Sequence, residues 1–496
     1  MTAYEDLARR FARIDAVNGA LEMLHWDLST QMPKGGQPDR ADQLATLTVI
    51  SHELMSERTL ADQLAAAEVA QDLDDWQVAN VREMRHRWRH ATAVPADLVE
   101  ASIRAGSACE AFWRTARHAN DFKGLAPLLG EVFHLAQARA QAKAAALGTS
   151  LYDAMLDQYE PGGSSARIDV LFNDLAGFLP GLLEEVLAKQ AAEPPVLAAD
   201  GPFPIEQQRA LGVRIMGVLG FDFDHGRLDV SAHPFCGGTQ NDVRITTRYY
   251  EDDFVKSLMG VVHETGHALY ERGRPAAWRG QPVGQARSMG MHESQSLLME
   301  MQACRSPQFL EFAAPLIREA FGKSGPAYTA ENLYRRYTRV ERGLIRVDAD
   351  EVTYPCHVIL RYNLEKAILS GDLRIHDLPG AWSEGMQKLL GVTPPSDKDG
   401  CMQDIHWMDG TFGYFPTYTL GALTAAQLFD AATRADTDIL PGIARGDFKP
   451  LLAWLRPNVH SLGCRYETDE LISRATGRSL DAGVFKAHLR RRYLGQ

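Results

Sequence analysis

A mostly α-helical body carrying one small antiparallel β-sheet is the fold class this sequence predicts, and three observations lead to it. Apolar residues recur every three or four positions along most of the chain, the spacing of helices with one buried face. Only two short stretches alternate apolar and polar residues, and clusters of Pro and Gly are confined to a few loops. At 496 residues, 45% of them hydrophobic, the chain can bury a substantial core. It is expected to form a single domain over 1–496, with a helical N-terminal part to about 200 and a second part over about 205–496.

The elements follow in order. Tyr4, Leu7, Phe11, Ile14, Val17, Leu21 and Leu24 mark the first helix, which the turn "QMPKGG" (31–36) ends because Pro33 and Gly35-Gly36 break the hydrogen-bond ladder. Helical patterns then cover 38–66, 74–90, 95–118, 124–146, 166–190 and 204–219, and the Ala-rich "AQARAQAKAAA" adds intrinsic propensity. The stretch "AAEPPVLAADGPFP" (191–204) reads as a surface linker. "GRLDVSAHPF" (226–235) and "DVRITTRYY" (242–250) have the period of short strands, predicted to pair antiparallel. Helical spacing resumes near 252 and continues to the end, interrupted by loops at 273–290, 391–400 and 409–417.

Charge excludes some classes of function. A net charge of −12 gives no general attraction to nucleic acid or to anionic membranes. The first residues lack the apolar core of a signal peptide, and no apolar run approaches the ~20 residues of a membrane span, so a soluble cytoplasmic protein is expected. Cys109, Cys236, Cys304, Cys356, Cys401 and Cys464 form no CxxC pair and suit reduced thiols.

Within "EDDFVKSLMGVVHETGHALYER" (251–272), acidic residues stand at the front and an arginine at the back, as a helix dipole favours. His263 and His267, four apart, share one face and aim both imidazoles at one point, suited to Zn²⁺ with bonds of about 2.0–2.1 Å. Glu264 can stand beside a metal without binding it and accept a proton from water there. The stretch matches HExxH, for which roughly 0.03 chance matches are expected in a chain of this composition. A catalytic zinc also needs a third ligand and an open position. Glu293, 26 residues past His267 (293 − 267) on the first turn of a new helix expected near Met291, is the leading candidate; His292 is the alternative ligand but faces about 100° away.

The chain resembles the thermostable metallocarboxypeptidases of the carboxypeptidase Taq type, nearly end to end. The likeness rests on "HPF" (233–235), "DVRIT" (242–246), "HETGH" (263–267), "HESQS" (292–296), "IRVDAD" (345–350) and "GCMQDIHW" (400–407), in that order. Weaker likenesses are "LHWDLSTQMPKGG", "YDAMLDQYEPG" (152–162) and "FGYFPTYTLG" (412–421). The resemblance puts the metal ligands on His263, His267 and Glu293 and the catalytic glutamate on Glu264, in agreement with the spacing. It further implies a zincin-type helical body split by a deep groove, release of single residues from peptide C-termini with broad preference, and a homodimer.

Arg346 is the first choice to clamp a substrate carboxylate, since a guanidinium binds one bidentately. A structural ion pair with Asp348 or Asp350 is the alternative, and only the motif favours the clamp. His406, with Tyr414 or Tyr418, is a candidate donor to the oxyanion of the tetrahedral intermediate. Gln403 and His233 could bind the peptide backbone or terminal carboxylate, and buried turns account for them equally well. Arg244 and Arg248 fit edge-strand arginines facing solvent or a carboxylate better than substrate contacts. Co²⁺ or Mn²⁺ could replace zinc. Two rival readings remain, an endo-acting oligopeptidase of the neurolysin kind and an inactive helical binding protein with structural metal.

Overall fold

The computed structural model describes residues 2–496. The first helix runs Ala3–Thr30, started by a capping box in which Thr2 and Glu5 satisfy each other's backbone N–H groups. Leu7, Phe11 and Ile14 of the expected apolar stripe are buried. The single helix expected over 38–66 is instead two, Gln37–Ser56 and Thr59–Glu68. Leu60, Leu64 and Ala67 of the second pack into a small core with the first helix and Asp75–Thr92, whereas Gln37–Ser56 buries no residue. The first segment reaches this core only through the half-buried Leu54 and Met55 near its end, and the turn at Glu57 and Arg58 lays the apolar face of the second segment against it. The longer predicted helices appear as Ala96–Ala119, Phe122–Leu147, Ser165–Ala192 and Ile205–Leu219.

The sheet has three strands, β1 (Gly226–Val230), β2 (Cys236–Thr239) and β3 (Asp242–Thr247), in the order β1-β3-β2. It is mixed rather than antiparallel throughout, because β1 pairs parallel with β3 and only β2 runs against it. The "HPF" segment carries the chain back before β2 begins, so the tight β2–β3 hairpin returns β3 in the direction of β1. Gly238 permits that hairpin: its φ is +94°, and a Cβ there would lie 2.1 Å from the Asp242 carbonyl oxygen. Leu228, Val243 and Ile245 pack against Val261 and Ala268 of the helix Phe254–Gly273, which fixes that helix on the sheet.

Two large apolar cores flank the middle of the molecule. One unites Phe122–Leu147 and Ser165–Ala192 with Tyr354–Ser370, Leu378–Leu390 and the loop around Trp407, so the N-terminal helices share their packing with the C-terminal half. The other unites Ile205–Leu219, Phe254–Gly273 and Pro307–Phe321. The helix Pro416–Ala435 belongs to both, giving Leu423 and Ala426 to the first and Ala425, Leu428 and Ala432 to the second. No helix of the described residues is long and apolar enough to cross a membrane.

Candidate metal centre and active site

Asp253 caps the helix Phe254–Gly273 by accepting the Val255 N–H, and this helix carries "HETGH". Ser288 likewise caps Met289–Leu297, which carries Glu293. The two helices touch where Gly266 meets the second backbone: a Cβ there would stand 2.5 Å from the Gln295 carbonyl oxygen. Gly421 does the same for Pro416–Ala435, since a Cβ there would lie 2.8 Å from Glu293 Cβ. Glycine at these two positions therefore lets three helices close around Glu293.

The closure brings the three expected ligands together. His267 Nε2 lies 3.6 Å and His263 Nε2 3.9 Å from Glu293 Oε2, and all three ligand atoms fall within 4.8 Å of one another. Donors bound at about 2.0–2.1 Å around a tetrahedral ion stand roughly 3.3 Å apart, so this spacing suits a cation rather than direct hydrogen bonds. The other ring nitrogens are already held. His263 Nδ1 is 2.9 Å from Glu300 Oε2, and His267 Nδ1–H donates to the His292 carbonyl at 3.0 Å. Glu300 is in turn held by Arg305. His292 stacks on His267 with ring centroids 4.4 Å apart and bonds Glu271 at 3.0 Å, which Arg274 pairs. Such outer partners fix the tautomer that presents Nε2 to a metal. The residues present therefore fit a divalent cation. Glu264 is 6% exposed, and burial pushes its carboxyl up to about 7.

A second group, His86, His90 and Asp157, also has metal-ligand chemistry, and His86 and Asp157 line a cavity of about 580 Å³ with Arg82, Arg85 and Arg89. Its geometry differs. Both Nε2 atoms lie 2.7 Å from Asp157 Oδ2, a hydrogen-bond distance, and His90 Nδ1 is buried without a partner. With Lys143 also close enough to oppose a positive charge on His90, this trio ties the helix Asp75–Thr92 to the turn at 157–162 and is not spread for an ion.

Arg346 is buried beside the first cluster. Its partner is neither Asp348 nor Asp350 but Asp404 of "QDIHW", reached by Nε and Nη2 at 2.9 Å each. Arg361 binds the other oxygen of the same carboxylate at 2.6 Å, so two guanidinium groups share one aspartate and leave one positive charge in excess. Arg346 also donates to Tyr354 Oη at 3.2 Å and stands 4.9 Å over the Tyr418 ring. Gln403 has its amide engaged inside the protein: its oxygen accepts the Arg346 N–H and Arg361, and its nitrogen donates to the Leu344, Asp399 and Gly400 carbonyls. That arrangement sets the Arg346 backbone rather than offering a peptide contact.

His406 Nε2 lies 3.2 Å from Tyr418 Oη, and Tyr414 packs edge-on between Tyr418 and Tyr159. Burial raises both tyrosines, so their hydroxyls stay protonated as donors, and Glu293 adds to the effect on each. His233 is exposed on the turn between β1 and β2, and the structure does not bring it into the ligand cluster. Arg244 pairs with Asp242 and lies 4.5 Å over Trp26, the carboxylate-partnered reading of that residue, while Arg248 stands over Tyr250. Glu300, Glu271, Asp404 and Arg361 were not singled out from the sequence. Glu300, seven residues after Glu293 (300 − 293), was open to reading as a second carboxylate on one helical face.

Burial pushes His357 down to about 3 and His406 down to about 4. Both stay neutral in the fold while an unfolded histidine, near 6.5, takes a proton, so folding stability should fall as pH drops from about 6.5 toward 4. For His357 the loss should be on the order of 3 kcal/mol by pH 4. Urea unfolding of the chelated protein at pH 7 and pH 4 checks this; His357→Gln should flatten the slope, and an unchanged slope would contradict it.

A helical body with an HExxH helix, a downstream glutamate that both imidazoles face, and imidazoles oriented by outer partners defines a metallopeptidase of the HExxH class. The comparisons make the assignment particular. The model of the carboxypeptidase Taq (M32) metallopeptidase family matches residues 6–493, and the chain belongs to that family. It is similar to a thermostable carboxypeptidase 1 of Thermus thermophilus, 41% identical over 99% of this chain and 98% of the relative. Among solved structures it is similar to Trypanosoma cruzi metallocarboxypeptidase 1, with a TM-score of 0.97, 42% identity and 99% of each chain covered. The M32 carboxypeptidase of Deinococcus radiodurans R1 matches with a TM-score of 0.93 and 36% identity, over 99% of this chain and 98% of that one.

Proposed function

We propose that the protein is a zinc-dependent carboxypeptidase that releases single amino acids from peptide C-termini with broad preference, with Glu264 as general base. His263, His267 and Glu293 would hold the ion. A divalent cation there supplies Lewis acidity, lowering the pKa of water and polarising the scissile carbonyl. Burial raises Glu264 toward neutrality and a bound cation pulls it back, which suits a carboxylate that takes a proton and passes it to the leaving amine. His406 and Tyr414 would donate to the developing oxyanion, with Tyr418 either binding substrate beside them or taking the donor role of Tyr414. His233 is a candidate for contacting the peptide, since Cys236, which opens β2 three residues further on, is within electrostatic reach of Glu264.

The observation that carries the exo-acting reading is the excess positive charge of the Arg346–Asp404–Arg361 cluster beside Glu293. A buried unbalanced charge is costly, and a substrate carboxylate on the free N–H groups of Arg346 would balance it. A dimeric assembly follows from the family resemblance. A reducing, cytoplasmic setting suits six cysteines that form no disulfide among the described residues.

Mass spectrometry of one peptide, with a free and with an amidated C-terminus, tests this reading. The free peptide should give a ladder shortened from its C-terminal end and abolished by chelator, and the amidated one should resist. Internal fragments appearing first would favour the endo-acting reading, and no hydrolysis by metal-loaded protein would favour the inactive one.

A further inference from the structure

We propose that Glu365 is a positioning residue that holds the His406 and Tyr414 loops in register with the metal cluster. The inference rests on the oxyanion-donor roles proposed above. Glu365 lies in Tyr354–Ser370 and is fully buried. Its Oε1 accepts the Trp407 indole N–H at 3.0 Å, and its Oε2 accepts the Gly413 N–H at 3.1 Å and the Tyr152 hydroxyl at 2.9 Å. Trp407 directly follows His406, and Gly413 directly precedes Tyr414. One carboxylate thus ties each loop at the residue next to its donor.

The rest of the contact is unforgiving. Gly413 has φ +85°, and a Cβ there would stand 2.7 Å from the Leu156 backbone nitrogen, so this loop lies pressed against Leu151–Leu156. Trp407 is wedged edge-on against Phe133 and Trp382. The three donors oppose the desolvation that pushes the Glu365 carboxyl up to about 7. Two of them, the indole N–H and the Gly413 N–H, cannot become acceptors. A glutamine at 365 offers one oxygen and one NH₂, so whichever way it turns, one of those two N–H groups faces a second donor. Glu365→Gln therefore releases one loop or the other while preserving volume. Loss of an interaction of this kind displaces a reacting group slightly, and a displacement near 1 Å can lower turnover by about 10²-fold.

The test is a kinetic cycle at pH 8 on metal-loaded protein, comparing wild type, Glu365→Gln, His406→Ala/Tyr414→Phe and the combined variant. Glu365→Gln should keep its metal content, lower kcat by about 10-fold to 10²-fold and leave KM nearly unchanged. In the His406→Ala/Tyr414→Phe background the same change should have little further effect, because the groups it positions are gone. Trp407→Phe, which removes only the indole donor, should reproduce part of the kcat loss and serves if Glu365→Gln does not fold. Unchanged kcat in a folded Glu365→Gln, or an equal loss in both backgrounds, overturns the proposal. Full activity in His406→Ala/Tyr414→Phe would instead overturn the donor roles and this inference with them, leaving the metal and Glu264 readings standing.

Discussion

Glu264→Gln should retain one equivalent of metal and lose about 10²–10⁴-fold in kcat. The substitution keeps volume and hydrogen-bonding length at a position 6% exposed, so packing around the motif helix has no reason to change. The capacity to carry a proton is removed, together with one negative charge beside the metal cluster. Stability of the chelated protein gives an independent control: without metal, burial raises this carboxyl to about 7, so its charged form is disfavoured in the fold and a neutral amide should not lower the metal-free Tm. Metal content by elemental analysis, Tm and single-turnover rate on one preparation check the expectation. A metal-loaded Glu264→Gln within tenfold of wild type, a threshold below the usual contribution of about 10²-fold or more, would reject the general-base role.

Glu293→Gln should lose the metal and with it all measurable peptidase activity. Glu293 is the one anionic member of the three proposed ligands, and its Oε2 is the atom both imidazoles face. An amide oxygen carries no charge and binds zinc far more weakly. Alanine would be a poorer choice, because the Glu293 methylenes fill the space left by Gly421 and truncation would open a cavity. Burial also raises the Glu293 carboxyl, so the metal-free Glu293→Gln protein should be at least as stable as metal-free wild type. Glu300→Gln offers a graded comparison. Glu300 orients His263 without facing the cluster, and loss of such an outer partner typically weakens metal affinity by about 10–100-fold.

The parts of this protein that were legible in its sequence are those set by local spacing. An i, i+4 histidine pair on a capped helix needs nothing distant to define its direction, and Glu293 followed from its place near the start of the next helix, which begins at Met289, two residues before the expected start. The helical body was legible for the same reason. Non-local pairing was not. Asp404 lies 58 residues from Arg346, and nearer aspartates at 348 and 350 were equally plausible partners on sequence grounds. Asp350 instead accepts backbone N–H groups at 352 and 353. The sense of the sheet was hidden because β2, "CGGT", has neither alternation nor β-branched weight to announce a strand. The break at Glu57 depends on which helix finds a core to bury in, a tertiary outcome that periodicity does not carry.

The central claim is that one divalent cation sits between His263, His267 and Glu293. Anomalous diffraction from crystals of the protein loaded with a zinc or cobalt salt measures it directly. A strong peak is expected at about 2.0–2.2 Å from both Nε2 atoms and a Glu293 oxygen, absent in Glu293→Gln. A loaded crystal with no peak there, or with its only peak at His86, His90 and Asp157, would contradict it.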